Sequence, residues 1–173
     1  MLPKRNNKFM KAKYTLLLLL CLSLTSCYTL REPIITRNAE ITNYKYFIVS
    51  ETGEKTGTSN AVYGNQYGVY GGGVTKSVNP SDIITGTLIK NGFIKLTELS
   101  PEYLDETMIV NYGESGKRTV GIWGYTLEVT IQFISAKTKE PICTCTAEGI
   151  GDTEADDIRK AIDRCLSTVF PKI

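Results

Sequence analysis

The chain of 173 residues contains no histidine, which removes the imidazole from every Ser-His or Cys-His nucleophile and from every histidine-ligated metal site. Thiols, carboxylates, hydroxyls and amines are what remains for chemistry. Beyond residue 27 the cysteines are Cys143, Cys145 and Cys165. Cys143 and Cys145 stand two apart and project to the same side of a strand, so they are poorly placed to bridge each other. An oxidising compartment permits a disulfide from Cys165 to Cys143 or to Cys145. Burial as small free thiols is the alternative. A three-thiolate metal site would need ligands that Cys-x-Cys does not supply, and no metal or other cofactor is expected.

The densest acidic cluster is Glu154, Asp156 and Asp157. It falls in the first turn of a helical pattern, where carboxylates complement the positive end of the helix dipole, so it reads as capping and solvation. Gly71-Gly72-Gly73 followed by Thr75-Lys76-Ser77 fails the spacing of a phosphate loop, which sets four residues between a glycine and Gly-Lys-Ser/Thr. With no catalytic constellation, the chain is expected not to be an enzyme. The same stretch repeats aromatic and glycine residues: Tyr63-Gly64, Tyr67-Gly68, Tyr70-Gly71. Exposed aromatics flanked by glycine adapt to a protein or glycan surface, which makes Tyr63, Tyr67 and Tyr70 a candidate binding loop. The plainer alternative is that these tyrosines fold over the sheet.

Charge sorts the chain into two parts. Of 20 basic residues five, Lys4, Arg5, Lys8, Lys11 and Lys13, lie in the first 26 residues, which hold no acidic group; 15 basic residues then face 18 acidic ones. A nucleic-acid footprint needs clustered Lys and Arg on the folded part, so no nucleic-acid partner is expected. The basic segment precedes an apolar run from Leu16 to Leu24, the arrangement of a secretory signal peptide over residues 1–26. A spanning helix needs roughly 20 apolar residues, and this run is too short to stay in a membrane.

Leu24-Thr25-Ser26-Cys27 resembles the lipobox of bacterial lipoproteins, in which an aliphatic residue and two small ones precede the cysteine that becomes the mature N-terminus. The resemblance implies diacylglycerol on the Cys27 sulfur and further acylation, such as palmitate, on the freed amine. Each buried CH₂ contributes about 0.8 kcal/mol and one chain binds only marginally, so two or three chains give stable anchoring. Position 28 is Tyr where an Asp would resemble an inner-membrane retention signal, and no acidic run of the kind associated with surface export follows. The expected destination is the outer membrane of the cell envelope, facing the periplasm.

The elements that must position these groups follow from pattern. Residues 27–40 read as the lipidated cysteine and a tether, with a single α/β domain over 41–173 that carries a Tyr/Gly-rich loop at 51–79; a segment that long is either functional, partly ordered as a hairpin, or disordered. Tyr44 to Ser50 reads as a strand buried on both faces or nearly so. Asn79-Pro80-Ser81-Asp82 is a helix start, with Ile83, Ile84 and Leu88 facing the sheet and Asn91-Gly92 as the stop. Phe93 to Leu96 and Thr107 to Tyr112 read as further strands. Tyr125, Leu127, Val129, Ile131 and Phe133 alternate with polar residues, which predicts a strand with one buried face, and Ile142 to Glu148 pairs back on it. Thr153 and Asp156 match a capping box ahead of a stripe of Ile158, Ala161, Ile162, Cys165, Leu166 and Val169. The order predicts an α+β fold, a two-layer α/β sandwich: one mixed, mostly antiparallel sheet of about five strands with two helices on one face.

Asn79 through Ile84, the strand end Val110-Asn111-Tyr112-Gly113, and Ala147-Glu148-Gly149 through Asp152-Thr153-Glu154-Ala155 resemble small bacterial envelope lipoproteins of uncharacterised function, whose α/β domain is similar to the N-terminal domain of TolB. These motifs are caps and turns, so the resemblance implies fold and compartment and brings no activity. The function expected from all of this is a membrane-anchored, non-enzymatic binding or accessory module, whose partners are the membrane, through its lipid, and an envelope protein or glycan. A structural or assembly factor acting as a homo-oligomer is the alternative, and the sequence leaves the oligomeric state open.

Overall fold

The computed structural model describes residues 29–65, 68–121 and 124–171, with the backbone alone over 57–65 and 68–74. In chain order the elements are β1 (Ile34–Arg37), a 3₁₀ turn (Ile41–Asn43), β2 (Tyr46–Val49), β3 (Lys55–Asn65), β4 (Gly68–Val78), α1 (Pro80–Lys90), β5 (Ile94–Lys95), a 3₁₀ segment (Pro101–Glu106), β6 (Thr107–Val120), β7 (Gly124–Ser135), β8 (Pro141–Gly149) and α2 (Glu154–Val169). The fold is α+β with a mixed sheet. Its six strands run β1-β8-β7-β6-β2-β5, with β2 parallel to β5 and β6 and the other neighbours antiparallel.

Local chemistry explains most boundaries. The Asn79 side chain accepts from the Ser81 amide at 3.2 Å, Thr52 Oγ1 accepts from the same amide at 3.0 Å, and Pro80 takes a helical position that needs no amide donor. At the other end Gly92 adopts a φ of 89°, the left-handed conformation that a glycine reaches without a Cβ clash. Thr153 Oγ1 accepts from the Asp156 amide at 3.2 Å and donates to the Asp156 carboxylate at 2.9 Å, a reciprocal cap that starts α2. Arg37 closes the far end of that helix by donating to the carbonyl of Val169 at 2.8 Å.

The core lies between the sheet and the two helices, which pack side by side. Phe47, Met108, Leu127, Ile131 and Phe133 from the sheet meet Ile84, Leu88, Ile158 and Ile162 from the helices, all fully buried. Burying each such side chain is worth about 1.5–3 kcal/mol. The contact between α2 and β8 is closest at Gly149: a Cβ there would sit 1.9 Å from the Asp157 carbonyl oxygen and 2.7 Å from the Ala161 nitrogen.

Three expectations change. The main sheet has six strands and not about five, because Ile34–Arg37 pairs with β8 from Thr146 to Cys143; the segment read as tether to residue 40 is already an edge strand. β2 alternates half-buried and buried residues and is not buried on both faces, since both helices pack on one face only. Tyr125, placed on the buried face of β7, is 39% exposed. At that end of β7 the Lys117 ammonium lies over the Tyr125 ring, 4.9 Å from its centroid.

For residues 51–79 the structure takes the hairpin among the readings: β3 and β4 form a separate two-stranded antiparallel sheet of 11 residues on each side, in continuous register from Lys55↔Val78 to Asn65↔Gly68. At a rise of about 3.4 Å per residue such a ribbon is roughly 35 Å long.

Candidate functional site

The ribbon is tied to the domain at its foot. The Lys55 ammonium lies 3.1 Å from the Glu114 carboxylate on β6, and Lys76 lies 2.8 Å from Asp156 in the first turn of α2. The hydrogen bond from Lys76 holds the Asp156 carboxyl below its usual range, and the same contact raises the ammonium. Val78, the last residue of β4, is buried in the core. Beside this foot lies a cleft of about 520 Å³ lined by Glu54, Ser77, Asn79, Asp82, Ile83 and Arg159. Of the three tyrosines of the candidate binding loop, Tyr63 and Tyr70 are register partners across the ribbon; Tyr67 lies outside the described residues, as does Cys27.

The acidic cluster that opens α2 is divided among separate tasks. Asp156 caps and binds Lys76, and Glu154 accepts from Lys117 at 3.1 Å. Asp157 is 97% buried, as its relative exposure is 3%, and one of its carboxylate oxygens has no hydrogen-bond partner among the described residues. Burial pushes this carboxyl up to about 6, against a backbone hydrogen bond from Gly151 that favours the charge. The three carboxylates do not converge on one point.

A second charged group was not legible as a site. Glu148 is 3% exposed and accepts two hydrogen bonds from Arg118, at 2.7 and 2.5 Å, and one from the Arg31 amide at 3.0 Å. The Arg118 hydrogen bonds hold the carboxyl down at about 2. Arg164 on α2 donates to the carbonyls of Glu148 at 2.6 Å and Arg31 at 2.7 Å. Together these contacts pin the chain just ahead of β1 against β8 and α2. The partners are separated by 30 and 117 residues, so no local pattern announces them.

Cys145 and Cys165 form a disulfide that joins β8 to α2, with Cα atoms 5.8 Å apart, and Cys143 is a buried free thiol raised above its usual pKa by burial. Among the described residues no three Cys, Asp or Glu side chains are grouped to hold a metal ion, and no helix is long and apolar enough to cross a membrane, which says nothing of strands.

No family model matches the chain, and no curated protein does. Among solved structures it is similar to a PelC dodecamer from Paraburkholderia phytofirmans, a single-substitution variant, with 14% identity, a TM-score of 0.46, and 79% of this chain and 95% of that one covered. A second crystal form of the PelC dodecamer matches with 15% identity, a TM-score of 0.42 and coverage of 82% and 98%. The expected similarity to the N-terminal domain of TolB is corrected by this result: the structures found are of PelC, and neither a family model nor a curated relative supports a TolB-like domain. The caps and turns that carried the resemblance recur wherever a helix follows a strand, so they could not discriminate between α/β domains.

Proposed function

We propose that this chain is a lipid-anchored envelope protein, attached through Cys27, that acts by binding and not by catalysis, with the β3–β4 ribbon as its binding element. The observation that carries the reading is the ribbon itself. It takes up 22 residues in two 11-residue strands outside the main sheet; α2 packs against both strands, and among the described residues no third strand pairs with either edge. The tyrosine and glycine content of the stretch suits an envelope protein or glycan surface. Of the acidic cluster that opens α2, Asp156 and Glu154 are held in ion pairs by Lys76 and Lys117, which supports a role without a reaction.

The anchor and the outer-membrane, periplasm-facing location rest on the signal peptide and lipobox pattern. Arg31 is already docked on Glu148, so the fold begins no more than four residues beyond Cys27, a reach of at most about 14 Å. Such an anchor holds the domain close to the bilayer in a narrow range of orientations.

The test replaces residues 57–75 with Asn-Gly, which keeps both feet of the ribbon and closes them with a hairpin turn. In intact cells treated with a crosslinker, the parent is expected to give discrete adducts and the shortened chain none, while both stay in the membrane fraction. Adducts unchanged by the replacement would refute the ribbon as binding element. A second reading, the assembly factor acting as a homo-oligomer, is favoured by the character of the ribbon's two edges.

A further inference from the structure

The two sheets of this chain treat their edges differently. An exposed edge strand offers a row of unpaired amides and carbonyls to any other strand, and proteins blunt it by shortness, charge, proline or a bulge. The main sheet does so at both ends. β5 is two residues long, and β1 is four residues long and flanked by Arg31, Glu32 and Pro33 on one side with Arg37 as its last residue. The ribbon does none of it. Both strands run 11 residues, the register has no shift, and from Thr56 to Thr75 there is neither a charged residue nor a proline. Its two lysines, Lys55 and Lys76, each already hold a carboxylate of the domain. Among the described residues, neither edge is paired.

We infer that these edges are completed by a second copy of this chain, with β3 of one ribbon paired against β4 of the next. The inference rests on the reading of the ribbon as the binding element and names its partner. A foreign strand that took one edge would leave the other open, whereas another copy of the same hairpin presents the complement of both. The lengths match, 11 residues against 11. The direction matches as well: copies anchored the same way up in one membrane stand side by side, which sets β4 of one antiparallel to β3 of its neighbour, the favourable pairing for a hairpin sheet. Because Lys55 and Lys76 are each neutralised within their own copy, adjacent feet approach without meeting an uncompensated positive charge. The contact is head-to-tail, so it repeats from copy to copy until it closes on itself.

The experiment uses the full-length acylated protein, with Thr58→Cys in one tagged copy and Thr75→Cys in another, expressed together in one cell. These positions are partners within a ribbon, so each single variant keeps an intact partner residue in its own chain. The expected result is an interchain disulfide between the two variants that neither forms alone, in a detergent-extracted particle whose mass is a multiple of this chain and falls to the monomer when residues 57–75 are replaced by Asn-Gly. Crosslinking of Thr58→Cys copies to each other would overturn the head-to-tail pairing. A monomeric full-length particle, or a ribbon crosslinked to a different protein, would overturn the second copy while leaving the ribbon as a binding element. A multimer indifferent to loss of the ribbon would overturn both.

Discussion

Glu148 and Asp157 sit equally deep, each 3% exposed, yet their surroundings push their carboxyls in opposite directions. Arg118 holds Glu148 at about 2, below its ordinary 4.5, so its contribution to stability is present above pH 4.5 and is lost as pH falls towards 2. Burial raises Asp157 from 3.8 to about 6, so its charge opposes folding above pH 6, and that penalty is relieved as pH falls from 6 to 4. Thermal unfolding across pH is therefore expected to peak near pH 4–5, since the two windows meet there. Asp157→Asn removes the rise from neutral pH to that maximum. Glu148→Gln costs about 2–3 kcal/mol at pH 7, by leaving Arg118 without its carboxylate, and flattens the acid limb. A parent Tm that falls steadily from pH 7 to 4 would contradict the assignment of Asp157. Neither residue stood out in the sequence: the burial of Asp157 depends on β8 and the 150–153 turn closing over it, and the partners of Glu148 come from β6 and from the chain ahead of β1.

At the level of elements, what the sequence made legible is what neighbours along the chain decide. The Asn79-Pro80 start of α1, the Thr153–Asp156 cap of α2 and the alternation of Leu127, Val129, Ile131 and Phe133 on β7 all stand where pattern placed them. β1 was hidden because Ile34–Arg37 has no apolar alternation of its own and is a strand only through its pairing with β8. β3 and β4 stood as only one of several readings of their stretch, because glycine lowers strand propensity and the pairing is set by cross-strand register. The closest joint between layers, Gly149 under α2, gives a sharp prediction. Gly149→Ala puts a methyl into the Asp157 carbonyl and the Ala161 amide, and is expected to cost more than the 1–3 kcal/mol usual for overpacking, since backbone cannot step aside as a side chain does. An unchanged denaturant midpoint would refute that packing. The Cys145–Cys165 bridge spans 20 residues and is worth about 3 kcal/mol by loop closure. Reduction should shift the unfolding midpoint accordingly, and non-reduced protein unfolded with an alkylating agent should label Cys143 but neither Cys145 nor Cys165.

The whole molecule combines a small domain whose main sheet has short edge strands with a ribbon of two 11-residue strands whose edges are unpaired among the described residues. The proposed anchor rests on a dozen residues alone, because sorting signals are linear. The ribbon was readable only as an oddity of composition with a hairpin among its readings, since tyrosine and glycine repeats do not say whether a segment is a loop or a strand. Hydrogen–deuterium exchange on the full-length protein, extracted in detergent and never separated from its neighbours, is the most direct test of the ribbon as a bound element. A ribbon paired on both edges protects successive amides along both strands, whereas a free two-stranded ribbon protects only those that face its own partner strand. The account predicts that residues 56–65 and 68–77 exchange as slowly as β7. Rapid exchange at alternate positions throughout the ribbon would contradict it.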